Sequence, residues 1–525
     1  MRNKKIRTIG WLELDLKLKK FMKKNKVGLK ELVWIGFNYT CGISFPMVFS
    51  SIFSGPNGVG VHMFWLILLG GGIAWVSGVA FMRCSQLYHS LNGGAYVYVR
   101  SNFGRFFGWL IGIFQYIFLP FATVSWIVSM IAFNLKNTPF YAWLLGFIHS
   151  EALIDFYCNS FGIILYIIVS SMIILGFKKF RNFFHFSAFV KWVSTFFIIV
   201  CVTFVAFNNF GENSKAIFSN VPTITWSSAR EGFVTFFFFF LGFETYATIT
   251  HNVKNPKKTI GKSIILVLLL STIFYLLISF LIVVGLRDFS GIDNPVNFIV
   301  SKLTREIGVI ILIIAILSLK LNAVSQSSLY AAAMLEPLAI EGYISEKLAK
   351  LNKDRVAVRA SIFHIITSVI FSFIFLIVPF LVTRSTVSYA SVIEFSVILM
   401  VVVHLFVLLS AIKLSLKRLI KRNWVWIFLW TLVAGFFVFL IGMYIWDKFA
   451  AFFIDFASLP PKELDLNIVK RVQALLFLGI FFFSLLWYRL YYLPIHRYRM
   501  IGEPELQKKL DEMFVLDSSD IYSTA

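Results

Sequence analysis

The chain has 525 residues, a formal net charge of +23 and 58% hydrophobic residues. Only 14% of the residues are charged, whereas soluble proteins average about 25%. This composition excludes a water-soluble domain as the main body of the protein. The basic residues lie between apolar segments and form no compact basic module, so a lipid bilayer explains the charge better than nucleic acid.

Apolar runs long enough to cross the roughly 30 Å hydrocarbon core of a bilayer recur along nearly the whole chain. Their charged and Pro/Gly boundaries predict an all-α polytopic membrane protein with about twelve transmembrane helices. The first 30 residues lack the apolar core of a removable signal peptide, so we expect them to remain as a basic tail. The predicted helices cover residues 31–53, 61–83, 103–133, 158–177, 184–208, 230–251, 261–286, 307–337, 357–381, 387–411, 424–446 and 470–493.

The distribution of basic residues orients these helices. With the N-terminus in the cytoplasm, 36 of the 49 Lys and Arg residues fall on the cytoplasmic side, 11 fall outside and two lie within helices. This bias follows the positive-inside rule. We therefore expect a cell-membrane protein with both termini in the cytoplasm, and an amphipathic connector from Pro337 to Asp354 along the inner surface.

The four cysteines fall in or beside different apolar segments, and the chain has no nucleotide-binding glycine motif. Their spacing fits neither a metal site nor an extracellular disulfide framework. We therefore expect no structural disulfide, no metal, no cofactor and no direct use of ATP.

The first predicted helix contains an unusual stretch from Asn38 to Pro46, in which Gly42 and polar residues stand at mid-membrane depth. Unwound backbone at that depth is tolerated only where it is buried in protein or lines a cavity, and its free N–H and C=O groups can then bind a ligand. The alternative is a glycine for close helix packing followed by a proline kink.

The sixth predicted helix has Gly242 at mid-depth and Glu244 two residues later. A carboxylate in the membrane costs about 2.5–3.5 kcal/mol on insertion scales, so it marks a candidate functional site. The alternative is that Glu244 only bonds to neighbouring helices or pairs with a lysine. Corresponding breaks in two halves of a membrane domain indicate a transport site at the midplane.

Three stretches resemble the amino acid/polyamine/organocation (APC) superfamily. The spacing from Gly242-Phe243-Glu244 to Lys254-Asn255-Pro256 resembles its sixth-helix signature. The stretch from Leu91 to Gly104 resembles the exit of the second helix, and the stretch from Ser327 to Lys353 resembles the eighth helix with its cytoplasmic connector. Asn252 stands where the family often has an acid, and the arginine of the eighth-helix motif is absent, so the subfamily stays open.

The resemblance covers residues 31 to 410 and implies a LeuT-like core of five helices followed by five inverted ones, with two peripheral helices. On this basis the basic N-terminal tail covers residues 1–30. The transport core covers 31–411, with repeats at about 31–208 and 230–411; the peripheral helices cover 412–493 and the C-terminal tail covers 494–525.

The resemblance also implies secondary active transport of amino acids by alternating access, as proton-coupled symport or exchange. Free N–H groups near Cys41, Gly42 and Ile43 would hold the substrate's α-carboxylate. Carbonyls near Phe240 and Leu241 would hold its amino group, and Phe238 is the candidate gate. The candidate substrate-binding residues are Thr40, Cys41, Gly42, Ile43, Phe240, Leu241, Gly242 and Ser327.

Lys191 matches a family lysine whose ammonium replaces the sodium ion of sodium-coupled relatives. A cation can take that place among carbonyl and hydroxyl oxygens, and because burial disfavours the charged form, a lysine can also release its proton. The alternative is snorkelling to the nearby cytoplasmic surface. The candidate gating or coupling residues are Phe238, Glu244 and Lys191.

Other polar residues within helices receive structural interpretations. Lys320 either faces an outer vestibule, where it would attract anionic substrate groups, or pairs with Glu394, and the pairing is favoured. His185, His364 and His404 are expected to cap helices or pack.

Other functions fit less well. A polyamine or other organic-cation carrier of the same fold is the main alternative. A channel or sensor would need charge rings or a soluble domain, and a membrane-embedded enzyme would need converging catalytic groups, so we expect no enzyme. The amino acid, the direction of transport, the coupling ion and the oligomeric state stay open.

The topology predicts that residues 54–60 face outward, because they carry no Lys or Arg while the flanking cytoplasmic segments carry many. In intact cells an impermeant thiol reagent should label Asn57→Cys and leave Lys258→Cys unlabelled. Labelling of position 258 but not position 57 would reverse the topology.

Overall fold

The structure is a computed structural model that describes residues 26–42, 45, 52–53, 58–89, 91–130, 139–175, 177–219, 223–286, 292, 294–352, 357–383, 389–454, 461–512 and 514. This part of the chain is almost entirely helical and contains no β-strand. The α-helices are α1 (Leu29–Thr40), α2 (Met63–Leu87), α3 (Ala95–Phe103), α4 (Arg105–Met130), α5 (Pro139–Ile148), α6 (Glu151–Ser171), α7 (Phe177–Ser219), α8 (Trp226–Phe240), α9 (Pro256–Gly285), α10 (Pro295–Glu341), α11 (Val358–Ser372), α12 (Val378–Thr383), α13 (Tyr389–Leu416), α14 (Trp424–Ala450), α15 (Pro461–Trp487), α16 (Leu493–Gly502) and α17 (Pro504–Glu512).

Ten helices within the described residues are long and apolar enough to cross a membrane. The first and sixth predicted helices are not among them, because each is interrupted: α1 stops at Thr40 and α8 stops at Phe240. These ten membrane-length helices and the two interrupted ones fit the all-α polytopic fold that the sequence predicts. The predicted outward segment 54–57, most of the N-terminal tail and Ile43 lie outside the described residues.

Several helices extend beyond their predicted ends, because hydropathy marks only the lipid-buried part of a helix. The helical stretch α10 begins at Pro295, but Arg305 has a non-helical φ of +52°, so a separate helical segment precedes the helix that was predicted to start at residue 307. Pro295 occupies the first helical turn, and the Asn294 side chain accepts a hydrogen bond of 3.0 Å from the N–H of Asn297, which is typical helix-start chemistry. The short α5 lies in a predicted loop.

The expected connector from Pro337 to Asp354 starts later than the sequence predicts. Pro337 lies inside α10, which ends at Glu341. Gly342 then adopts a φ of +88°, and the N–H of Tyr343 donates to the carbonyl of Leu338 at 3.0 Å. This arrangement closes the last turn of α10 in the way that a left-handed glycine does. In the rest of the predicted connector, the only described helical turn is Glu346–Ala349.

The helices differ in how deeply they lie inside the protein. Of the most apolar stretch of α4, 89% is buried inside the protein. The corresponding share is 17% for the helical stretch Asn467–Gly502, which contains most of α15. α4 is therefore central and α15 is peripheral, as the family resemblance implies for the last helices. Large apolar side chains such as Phe161, Phe196 and Phe428 are exposed on the helix surfaces, as suits contact with lipid tails.

The turn between α2 and α3 connects three parts of the protein on one face. Gly93 has a φ of +110°, and its N–H donates to the carbonyl of Thr248 at 3.2 Å. A Cβ on Gly93 would lie 2.7 Å from the Pro337 ring. The Asn92 amide donates to Glu336 at 2.9 Å and accepts from the His251 N–H at 3.1 Å. We call this side of the protein the terminal face, because both described chain ends lie on it.

On the terminal face, the N-terminal end of the described chain pairs with residues 252–254, which follow the predicted sixth helix. The N–H of Val27 donates to the carbonyl of Asn252 at 2.9 Å, and the N–H of Lys254 donates to the carbonyl of Val27 at 2.9 Å. These two bonds form an isolated parallel bridge between Val27 and Val253.

The C-terminal tail, defined here as α16, α17 and Phe514, docks on the terminal face, whereas the sequence predicted only a tail. The Asp511 carboxylate pairs with Arg100 at 2.9 Å and with Arg105 at 2.6 Å. Arg100 also pairs with Glu341 at 2.9 Å, and its guanidinium lies 4.9 Å from the Phe514 ring centroid. The tail therefore links α3 and α4 to the end of α10.

Burial raises the pKa of the Asp511 carboxyl, but the hydrogen bonds and charges of Arg105 and then Arg100 outweigh burial and hold the pKa below its usual range. Asp511→Asn is expected to weaken the docking of the C-terminal tail by about 1 kcal/mol. The effect is small because the ion pairs are partly exposed. Glu505→Gln, at an exposed position on α17, is the control.

The pH dependence has a defined sign. A depressed folded-state pKa contributes stability above the ordinary aspartate value of about 3.9, and this contribution is lost as the pH falls through the lower folded-state value. Limited proteolysis of the tail should therefore accelerate between pH 7 and about pH 3 in the wild type and less in Asp511→Asn. Equal acid sensitivity of both proteins would contradict this assignment.

Candidate functional site

The first break leaves backbone groups without helical partners in the middle of the protein. α1 ends at Thr40, and the N–H of Cys41 still donates to the carbonyl of Phe37 at 2.8 Å. The N–H of Cys41 is therefore occupied, and the first N–H of the break without a hydrogen bond among the described residues belongs to Gly42. This corrects the expectation that Cys41 offers its N–H to a carboxylate.

Lys191 binds this break directly. Its ammonium donates to the carbonyl of Asn38 at 2.7 Å and to the carbonyl of Cys41 at 2.5 Å, and the side chain is completely buried. The neighbouring Trp192 donates its indole N–H to the Asn38 side chain at 2.5 Å. The alternative of snorkelling is therefore wrong, because the ammonium is directed at the opened backbone of α1.

The second break separates α8 from a short 3-10 helix at Phe243–Thr248. Gly242 has a φ of +116°, which a side chain would disfavour. Within the described chain, the carbonyls of Phe240 and Leu241 accept no backbone hydrogen bond. Both Glu244 carboxylate oxygens lie 2.9 Å from the Gly242 nitrogen and accept from its N–H. The carboxylate thus stabilises its own break, and no described lysine pairs with it.

The two breaks lie side by side. The hydroxyl of Tyr275 on α9 donates to the carbonyl of Thr40 at 2.7 Å and to the carbonyl of Phe239 at 3.0 Å. A Cβ on Gly242 would lie 2.8 Å from the Tyr39 ring. The structure therefore brings the predicted residues of the first and sixth helices into one site, although their sequence positions are about two hundred residues apart.

Sequence reasoning missed an aromatic cluster that covers the breaks on the side of α8. The Phe45 ring centroid lies 4.6 Å from that of Tyr275, 5.1 Å from that of Phe239 and 6.0 Å from that of Phe236. The predicted gate, Phe238, is half-buried and contacts Phe239 at 5.8 Å. The run of phenylalanines in α8 signals this cluster, but the sequence does not reveal which rings face inward.

The helix α10, which corresponds to the eighth predicted helix, contacts the first break through Leu319. A Cβ on Gly42 would lie 2.5 Å from a methyl group of Leu319. The predicted residue Ser327 is completely buried, and its hydroxyl donates to the carbonyl of Val324 at 2.8 Å within α10. Its role in binding stays a prediction.

The favoured pairing of Lys320 with Glu394 is wrong. Glu394 pairs with Lys448 of α14 at 2.6 Å. Lys320 is buried and donates to the hydroxyl of Ser129, beside a cavity of about 30 Å³. The sequence placed Lys448 in a loop, because α14 extends past the predicted end of its apolar run.

His404 was expected only to pack, yet it lies next to Glu244. Its Nε2 is 3.9 Å from a Glu244 carboxylate oxygen, and both side chains are completely buried. His185 lies near Glu31 at the same distance, whereas His364 is buried and has no hydrogen-bond partner. Nothing in the local sequence of α13 distinguishes His404 from the other two.

The described residues hold no group of His, Cys, Asp and Glu side chains that fits a metal ion. All four cysteines, Cys41, Cys84, Cys158 and Cys201, are free thiols. The site is therefore built from backbone carbonyl and N–H groups, one lysine, one carboxylate and aromatic rings.

Comparison with known proteins agrees with this geometry. The sequence profile of an amino acid permease family matches residues 27–482. The chain belongs to this family. It is thus a multi-pass membrane protein of the APC superfamily.

One curated relative matches a short part of the permease. The branched-chain amino acid permease BcaP of Bacillus subtilis (strain 168) is 35% identical over 68 residues, which is 13% of this chain and 15% of the relative. The matched stretch is thus a small part of both proteins.

Gly42→Leu and Gly242→Leu are expected to abolish substrate binding in a folded, membrane-inserted permease. The new side chain would clash with Leu319 or Tyr39, and at Gly242 it would also strain a left-handed backbone by about 1–2 kcal/mol. Gly72→Leu is the control, since a Cβ there meets no atom within 4 Å. Binding measured by ligand-dependent thermal shift in detergent tests this, and wild-type affinity in both site variants would remove the proposed site.

Proposed function

We propose that this permease is a secondary active transporter that moves amino acids across the cell membrane by alternating access, with both termini in the cytoplasm. The observation that carries the proposal is the pair of adjacent breaks in α1 and α8. Together they offer an unpaired N–H at Gly42 and unpaired carbonyls at Phe240 and Leu241. An amino acid has a carboxylate for the first group and an ammonium for the second.

Both sides of this site are covered, which supports a carrier over an open channel. The aromatic cluster of Phe45, Phe236, Phe239 and Tyr275 lies on the side of α8. On the terminal face, Asn92 links His251 to Glu336 of α10, and Val27 links residues 252–254 to the N-terminal end of the described chain. Transport then requires opening one cover at a time, and Phe238 is the proposed moving part on the α8 side.

The coupling ion is proposed to be the proton. The ammonium of Lys191 bonds to the carbonyls of Asn38 and Cys41, and the family resemblance implies that it takes the place of the sodium ion of sodium-coupled relatives. Glu244 is the only described acid beside either break, and its carboxylate accepts from Gly242. Proton-coupled symport and exchange both fit this arrangement.

The structure gives a reason to prefer amino acids over polyamines or other organic cations. A polycation needs several carboxylates in the site, and Glu244 is the only described acid beside either break. A neutral amino acid needs only the backbone groups and an apolar wall such as Leu319. The name of the relative BcaP, a branched-chain amino acid permease, supports neutral aliphatic amino acids as the first substrates to test.

Uptake of a labelled amino-acid panel into proteoliposomes, with and without a proton gradient, tests the proposal. We expect gradient-driven accumulation that is indifferent to Na⁺. Lys191→Met should lose its dependence on the gradient, because the ammonium between the α1 carbonyls is removed, and Glu244→Gln should alter pH sensitivity with a smaller loss of binding. Lys320→Met is the matched control, since Lys320 is equally buried in the membrane domain but contacts Ser129.

An absolute Na⁺ requirement combined with full activity of Lys191→Met would sink proton coupling through this lysine. Accumulation of polyamines without any amino acid would favour the alternative substrate class.

A further inference from the structure

Glu244 is incompletely satisfied by its own break. Its two oxygens share a single donor, the N–H of Gly242, whereas an ionised carboxylate offers about four acceptor sites. No described Lys or Arg lies within 4 Å of it. A buried carboxylate in this situation is costly unless it gains a proton or a cationic neighbour.

His404 is the one basic side chain within reach. Its Nε2 lies 3.9 Å from the Glu244 carboxylate, and neither ring nitrogen has a hydrogen-bond partner. The imidazole is surrounded by aromatic rings whose centroids lie 5.3 to 6.3 Å away, which leaves it no other polar contact. These rings belong to Phe81, Phe237, Phe243 and Phe437.

The other titratable groups around the pair are phenols. Tyr39 from α1, Tyr246 from the 3-10 helix and Tyr330 from α10 each interact electrostatically with Glu244. The aromatic rings that α2, α8 and α14 place against the imidazole are all phenylalanines. Phenols stay protonated near neutral pH. The carboxylate and the imidazole are therefore the two groups here that can accept a proton.

We propose that Glu244 and His404 form one proton-binding site that couples the sixth-helix break to α13. The pair takes up one proton from the side to which the substrate site is open and releases it to the other side, and no other bond changes. Because Glu244 stands on an interrupted helix and His404 on the continuous α13, the charge of the pair changes the attraction between a segment that moves in transport and a helix that stays intact.

The inference depends on the proposed function for its transport test. His404→Gln keeps a hydrogen-bonding side chain without a titrating group, and His404→Asn is a smaller second variant. Each should reduce proton-driven accumulation at least about tenfold, the change expected from about 1.4 kcal/mol. Amino-acid exchange between equal pools, which needs no net proton movement, should persist and show that the variants fold. His364→Gln is the matched control, because His364 is equally buried and has no acidic partner among the described residues.

A second readout does not require an amino-acid substrate. In infrared spectra of the purified permease recorded as a function of pH, a carboxyl band that is absent in Glu244→Gln should titrate with the same midpoint as an imidazole band. In the histidine variants the carboxyl midpoint should move by at least about one pH unit. If neither variant folds, the wild-type spectra and those of Glu244→Gln still compare the two midpoints.

The outcomes are distinct. If His404→Gln exchanges amino acids at the wild-type rate and also retains wild-type proton-driven accumulation, the proton site is overturned and the proposed function stays intact. Failure to transport any amino acid, with coupled carboxyl and imidazole titration, would overturn the function and leave the proton site intact. Independent midpoints for the two bands would reject the pair.

Discussion

The structure depends on one constraint, which is that every backbone polar group inside a bilayer needs a partner within the protein. The two helix breaks violate helical pairing, and the surrounding helices compensate for this. Lys191 donates to two carbonyls of the first break, Tyr275 donates to one carbonyl of each break, and Glu244 accepts the N–H of Gly242. The groups that stay unpaired are the ones that a zwitterion complements. The same set of hydrogen bonds thus stabilises the two breaks and leaves a few backbone groups free to bind a substrate.

The sequence predicted the elements of this arrangement well where the signal is local. Helix-breaking residues at mid-depth located both breaks, and the match of Lys191 to a family lysine anticipated an ammonium at the first break. Apolar runs located the helices, although α7 extends well past its predicted ends and a separate helical segment precedes the break at Arg305 in α10. Polar helical turns beyond the hydrocarbon core carry no hydropathy signal, so their lengths were underestimated.

The sequence failed where a contact joins distant segments. Whether Glu394 meets Lys320 or Lys448 depends on how α10, α13 and α14 pack, and no residue spacing encodes that packing. His404 and Glu244 are likewise adjacent only after folding. The docking of the C-terminal tail was missed for the same reason, because its partners Arg100 and Arg105 belong to α3 and α4, some four hundred residues earlier.

The parallel bridge between Val27 and Val253 has a consequence for how related chains diverge. It is made entirely of main-chain N–H and C=O groups. The side chains at these positions can therefore change almost freely while the two hydrogen bonds persist. Proline at position 27 or 254 is the exception, because it removes the donor. Sequence variability around these positions therefore says little about whether the terminal face is held shut, and a protein with no recognisable motif there can retain the same closure.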